Sequence, residues 1–107
     1  MRTCGATPGG PSLDGIDVST QTIIQGVLLR DGVDDGVPNG APVTNGHVRL
    51  LDASGEFTAE VPTNQAGQFR FFASPGTWTV VALAPGARVE RKVVASQGAP
   101  VDVTIEI

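Results

Sequence analysis

The sequence predicts an all-β fold, a seven-stranded antiparallel β-sandwich, and three observations carry that expectation. Apolar residues recur at period two in several short runs, most plainly where Val101, Val103, Ile105 and Ile107 alternate with Asp102, Thr104 and Glu106. Clusters of Gly, Pro, Asn and Asp punctuate the chain at roughly the 8 to 12-residue spacing of sandwich turns. The 14 Gly and 8 Pro among 107 residues, set against 40% hydrophobic content, suit short strands and tight turns better than a helical bundle. A chain of this length forms one domain with a single modest core.

Taken in order, Met1 to Ser19 is rich in Gly, Pro, Ser and Thr without a sustained apolar period, so little burial offsets its ordering entropy. It is expected to be a mobile arm (1–19) ahead of the sandwich domain (20–107). Leu13, Ile16 and Val18 are candidates for pinning its second half, which leaves Cys4 in the free half. Thr22 to Arg30 is a first strand, with Ile24, Gly26 and Leu28 facing in, and Gly26 signals a bulge or close backbone approach. Asp31 to Asn45 is a dense series of turn formers and reads as a long irregular loop.

His47 to Asp52 is a second strand with Val48 and Leu50 inward, closed by the Asp52-Ala53-Ser54-Gly55 turn. Phe57 to Val61 is a third, ended by Pro62, which has no N–H for a ladder. Gly67 to Ala84 holds three of the four Phe and the single Trp, and it reads as two strands folded back on each other at Ser74-Pro75-Gly76. Phe69, Phe71, Trp78, Val80 and Ala82 are its buried face. Arg88 to Val94 is a charged edge strand, its Arg88, Glu90, Arg91 and Lys92 discouraging edge-to-edge association. The alternating run to Ile107 closes the fold.

The formal net charge of −4 and pI near 4.6 leave no basic stripe, so nucleic acid is not an expected partner. No run approaches the 18 or so apolar residues of a membrane span, and the N-terminus lacks a secretory or lipoprotein signal. No membrane association and a cytoplasmic location are expected; the single Cys fits a reducing compartment, and the same count also fits a secreted protein built without bridges.

The blocks TIIQGVLL, GHVRLLD, EFTAEV, GQFRFFASPGTWTVVAL and the closing strand together resemble the small, chiefly actinobacterial family labelled SseC, or sulfur-metabolism protein. That family is in turn similar to the carboxypeptidase regulatory-like domains, sandwiches of transthyretin-like topology. Their G-x-F-x-F and P-G-x-[WY] patterns match Gly67 to Phe71 and Pro75 to Trp78. The resemblance implies a role in sulfur handling beside a rhodanese-type thiosulfate sulfurtransferase, with a cysteine near the N-terminus, here Cys4.

Cys4 is the one nucleophile suited to sulfur transfer, because a thiolate accepts sulfane sulfur and passes it on through a persulfide. Its unperturbed pKa of about 8.5 means that activity requires activation by a partner's site. The competing reading is a terminal cysteine without a role. His47 stands alone and points outward, so it cannot assemble a zinc site. The acidic residues Asp31, Asp34, Asp35, Asp52 and Glu56 lack EF-hand spacing and read as solvated turn carboxylates.

Neither a metal nor another cofactor is expected. Trp78 reads as core, and Phe57 and Phe72 are the better candidates for stacking on a ligand. No G-x-S-x-G elbow gathers Ser, His and Asp, so a hydrolase is not expected. Three readings follow: a non-catalytic sulfurtransferase partner or sulfur carrier, a small sugar- or peptide-binding module, and an enzyme in its own right, which the residues support least.

Overall fold

The computed structural model describes residues 11–17, 19–30 and 40–107. Within them lie seven strands: β1 (Ile23–Leu29), β2 (His47–Leu51), β3 (Phe57–Pro62), β4 (Gln68–Phe72), β5 (Gly76–Ala84), β6 (Ala87–Ala95) and β7 (Val101–Glu106). They form a three-stranded sheet of order β4-β1-β7 and a four-stranded sheet of order β3-β2-β5-β6, packed as a sandwich. Four of the pairings are antiparallel, as expected. The pairing of β1 with β7 is parallel, with Ile24 opposite Val101 and Leu28 opposite Ile105. Strands aligned in this sense need a long connection, and here the whole intervening sandwich supplies it.

The expected β4–β5 hairpin is not formed. β4 pairs with β1, while β5 pairs with β2 and β6, so Ser74-Pro75-Gly76 carries the chain from one sheet to the other. Phe69 and Phe71 therefore face Val80 and Ala82 across the core instead of sharing a sheet face with them. The tight hairpins are β2–β3, turned at Asp52 to Gly55, and β5–β6, turned at Pro85-Gly86 between the paired Ala84 and Ala87. Gly86 has φ +78, a conformation that Pro-Gly provides at little cost.

Alternation places Ile24, Leu28, Val48, Leu50, Val80 and Ile105 in the core, flanked by the tilted pair Phe69 and Phe71 with ring centroids 6.1 Å apart. Trp78 is only half-buried at the core margin, and its Nε1–H donates to the Ser74 carbonyl at 2.8 Å. Val43, in the described end of the Asp31 to Asn45 stretch, is a core residue although no strand contains it. Its N–H donates to the Leu28 carbonyl at 3.0 Å, and its own carbonyl accepts from the buried Thr63 Oγ1 at 2.7 Å. Gly26 lies so close to β7 that a Cβ there would stand 2.0 Å from the Val103 carbonyl oxygen. The close approach expected from Gly26 is thus made by a neighbouring strand's backbone.

β1 is buried on both faces, whereas alternation assigned only Ile24, Gly26 and Leu28 inward. Ile23, Gln25 and Val27 are buried on its outer side. Over Gln25 the preceding segment supplies part of the cover: the Pro11 carbonyl accepts from Gln25 and the Ser12 carbonyl from the neighbouring Arg70.

Candidate functional site

The outer face of the three-stranded sheet is built from the off-core residues of β1, β4 and β7. Opposed pairs bring Arg70 of β4 beside Gln25 of β1, and Gln25 beside Asp102 of β7. Gln25 is 1% exposed, and an amide so placed is costly unless its polar atoms are satisfied. They are: Oε1 accepts from Arg70 Nε at 2.8 Å, while Nε2 donates to Asp102 Oδ2 and to the Pro11 carbonyl, each at 3.0 Å. Arg70 Nη2 donates in turn to the Ser12 carbonyl at 2.6 Å.

Beyond Ser12 the segment keeps to the same face. Leu13 and Ile16 are half-buried, and the Ile16 N–H donates to the Leu13 carbonyl at 3.1 Å. Asp17 Oδ1 accepts from Ser19 N–H at 3.1 Å and from its hydroxyl at 2.6 Å, an Asx turn that leads the chain towards β1. Gly15, Ile16, Asp17 and Gln21 then line a shallow cleft of about 390 Å³ whose remaining wall is Phe72. Phe72 is 59% exposed and is the aromatic surface of that cleft.

The other sequence candidates are dispersed. Cys4 lies outside the described residues, as do Val18, Asp31, Asp34 and Asp35. His47 is exposed on β2 and borders a smaller hollow of about 240 Å³ with Asn45, Leu83, Ala84 and Pro85. Among the described residues no group of three or more His, Cys, Asp or Glu is placed to hold a metal ion.

Asp52 serves its own turn. Its Oδ1 accepts from the Ser54 hydroxyl at 2.6 Å, Ser54 N–H at 2.9 Å and Glu56 N–H at 3.0 Å. The Ser54 hydroxyl first, and the Glu56 N–H next, hold its carboxyl below the ordinary value of 3.8. Phe57 is 61% exposed on edge strand β3, with the Arg49 guanidinium 6.0 Å from its ring centroid and paired to Glu60 at 2.7 Å. Phe57 and Phe72 therefore lie on opposite outer faces and form no common aromatic patch.

Sequence reasoning did not single out Gln25 or Arg70. The signal was present: TIIQGVLL and QFRFF each carry one polar residue inside an apolar run, at the parity that faces away from the core. Alternation alone treats such residues as solvated, because it does not reveal that another segment covers that face.

Comparison with known proteins places relatives beside this chain. An uncharacterized protein of Mycolicibacterium smegmatis is 51% identical over 69 residues, which is 64% of this chain and 69% of that protein. Two uncharacterized proteins of Mycobacterium tuberculosis are 47% identical over 68 residues, again 64% of this chain. The match spans 61% of the length of these last two. A family model described as a protein of unknown function, DUF1416, matches residues 4–107.

Proposed function

We propose that this chain, which belongs to the DUF1416 family, is a non-catalytic partner or sulfur carrier for a rhodanese-type thiosulfate sulfurtransferase, with Cys4 as the persulfide acceptor. The observation that carries the reading is the position of the only thiol. Cys4 stands seven residues before Pro11, in the segment that leads into the hydrogen-bonded stretch on the three-stranded sheet, and it is the first residue of the family match. The resemblance to sulfur-metabolism proteins supplies the chemistry, and the sandwich serves as the recognition body, in keeping with its likeness to carboxypeptidase regulatory-like domains.

In the transfer, the Cys4 thiolate attacks the outer sulfur of the donor's persulfide. The donor's S–S bond breaks, its own sulfur leaves as a thiolate, and Cys4 gains one sulfane sulfur. The proton lost by Cys4 ends on the donor thiolate or on the new persulfide, and no further oxidant or reductant is needed. Thiosulfate reloads the donor and leaves as sulfite. The partner's site supplies the activation that the thiol's ordinary pKa of about 8.5 demands.

The test mixes the protein with its host's thiosulfate sulfurtransferase and thiosulfate and weighs the intact chain. A gain of one sulfur atom, absent in Cys4→Ser and reversed by a reductant, is the expected result. Absence of both binding and mass gain sinks the carrier role. Binding that survives Cys4→Ser without a mass gain makes the protein an accessory subunit.

A second reading, a sugar- or peptide-binding module, is favoured by one observation, the exposed Phe72 against a cleft that also offers Asp17 and Gln21. Aromatic stacking beside hydrogen-bonding carboxylate and amide groups suits a hydroxylated ring. Chemical-shift titration with neutral disaccharides tests it. Shifts at Phe72 and Gln21 that vanish in Phe72→Ala support the module, and none at millimolar sugar refutes its carbohydrate form.

A further inference from the structure

β6 ends the order of the four-stranded sheet and pairs with β5 alone, so one side of a nine-residue strand is an edge. The turn before it decides which groups lie there. Pro85 and Gly86 form a two-residue loop whose flanking pair, Ala84 and Ala87, exchanges main-chain bonds, and such pairs alternate along a ladder that runs without a slip to Gly76 and Ala95. Ala87, Val89, Arg91, Val93 and Ala95 therefore turn their amides to β5. Arg88, Glu90, Lys92 and Val94 turn theirs outward, the row of groups on which a further strand can build.

Arg91 is out of place in this pattern. Val89 and Val93 pack against the core and Ala95 lies within it, so Arg91, at the same parity and opposite the fully buried Val80, starts on the core side of the strand. It ends in solvent, and its Nη1 donates at 3.1 Å to the outward Glu90 carbonyl. Among the described residues it forms no ion pair, whereas Arg88 holds Glu90 at 2.6 Å.

A second copy brought edge to edge by a two-fold axis runs antiparallel to the first. Outward amides then meet outward amides only if the axis passes through a residue, and only an axis through Arg91, the midpoint of β6, pairs all nine residues. In that register Glu90 faces Lys92 of the second copy twice over, Val89 faces Val93, and Arg88 faces Val94. Arg91 faces itself. Axes through Glu90 or Lys92 shorten the overlap and set each of those charges against its own kind, and an axis through Val89 leaves Lys92 to Ala95 without partners.

We propose that the outer edge of β6 is a self-complementary strand-pairing surface for a second copy of this chain, and that Arg91, meeting its own counterpart at the centre, is the residue that holds the edge open. Glu90 and Lys92 complement the second copy. The inference is independent of sulfur chemistry and stands or falls apart from the carrier reading.

Sedimentation velocity tests it, in reducing buffer so that Cys4 does not link copies. Wild type and Arg91→Glu, each with like charges at the axis, should sediment as monomers, while their equimolar mixture, which sets a guanidinium against a carboxylate, should form a dimer. Arg91→Val should dimerise alone, with an association constant raised roughly tenfold or more over wild type. Adding Lys92→Glu to Arg91→Val should abolish that dimer, because Glu90 then faces a carboxylate twice. In the Arg91→Val dimer, hydrogen exchange should slow roughly tenfold or more at Arg88, Glu90, Lys92 and Val94, and stay unchanged at Val89 and Val93.

Because Arg91 is exposed, none of these replacements empties the core, and a melting scan confirms that each variant folds. Should Arg91→Val aggregate, the mixture of wild type with Arg91→Glu decides alone. A wild-type chain already paired through β6, an Arg91→Val chain and a mixture that both remain monomeric, or a dimer that survives Lys92→Glu overturns the proposal.

Discussion

Replacing Gly26 by Ala adds one methyl group where β1 and β7 run closest. The new Cβ would stand 2.0 Å from the Val103 carbonyl oxygen and 2.9 Å from both the Val103 carbonyl carbon and Phe69 Cζ. Phe69 can turn, but the carbonyl is part of the parallel ladder that pairs Gly26 with Val103. Relief to a contact of about 3 Å requires β7 to shift by about 1 Å, and a close-packed interior resists such a shift. Overpacking typically costs about 1–3 kcal/mol, and a clash with backbone belongs at the upper end, about 3 kcal/mol. The smaller gain from stiffening the unfolded chain, about 0.4–1 kcal/mol, does not offset it. Urea unfolding followed by Trp78 fluorescence measures the change. With a slope of about 1–3 kcal/mol per molar, the midpoint should fall by about 1–3 M. In a domain of this size, the same loss lowers Tm by about 12–24 °C. Gly55→Ala is the control, because it has open space around the new Cβ and only its φ of +89 to oppose it, costing about 1 kcal/mol. If Gly26→Ala costs no more than Gly55→Ala, β7 does not lie against β1 in the register described.

Two further predictions separate features that the sequence left together. Phe71→Ala, in the core, should cost about 3–5 kcal/mol, and Trp78→Ala, at the margin, about 2 kcal/mol, both read as denaturant midpoints; a larger loss at Trp78 would place the indole deeper than its half-buried position. Asp52 should titrate below 3.8 by carbon-detected NMR, and Ser54→Ala should move it back up, since the Ser54 hydroxyl is the leading cause of its depression. A carboxyl depressed in the folded state adds stability above its unfolded pKa and loses it as pH falls through the folded one, so the Asp52 contribution disappears only below about pH 3.8. A titration unmoved by Ser54→Ala would show that the backbone N–H groups, and not the hydroxyl, hold the charge.

The sequence by itself determined the inward side of β2 and β7 and the place of the tight turns. The alternation of Val101, Val103, Ile105 and Ile107, the pair Val48 and Leu50, and the turns at Asp52 and Pro85-Gly86 all stand where residue chemistry placed them. These features are local: period two follows from the pleat, and turns follow from Gly, Pro and Asp within a few residues. Partner choice is not local. Nothing in Gly67 to Ala84 distinguishes a hairpin from a crossover between sheets, because both put Phe69, Phe71, Val80 and Ala82 on a buried side. Tertiary structure alone decided that β4 joins β1, that β7 runs parallel to β1, and that Val43 reaches the core from outside any strand. It also decided the candidate site. Gln25 and Arg70 lie 45 positions apart in the chain and meet only because β1 and β4 pair. Their grip on Pro11 and Ser12 depends on a segment with no apolar period to announce where it lies, and long-range hydrogen bonding to main-chain carbonyls leaves no trace in the side chains being held.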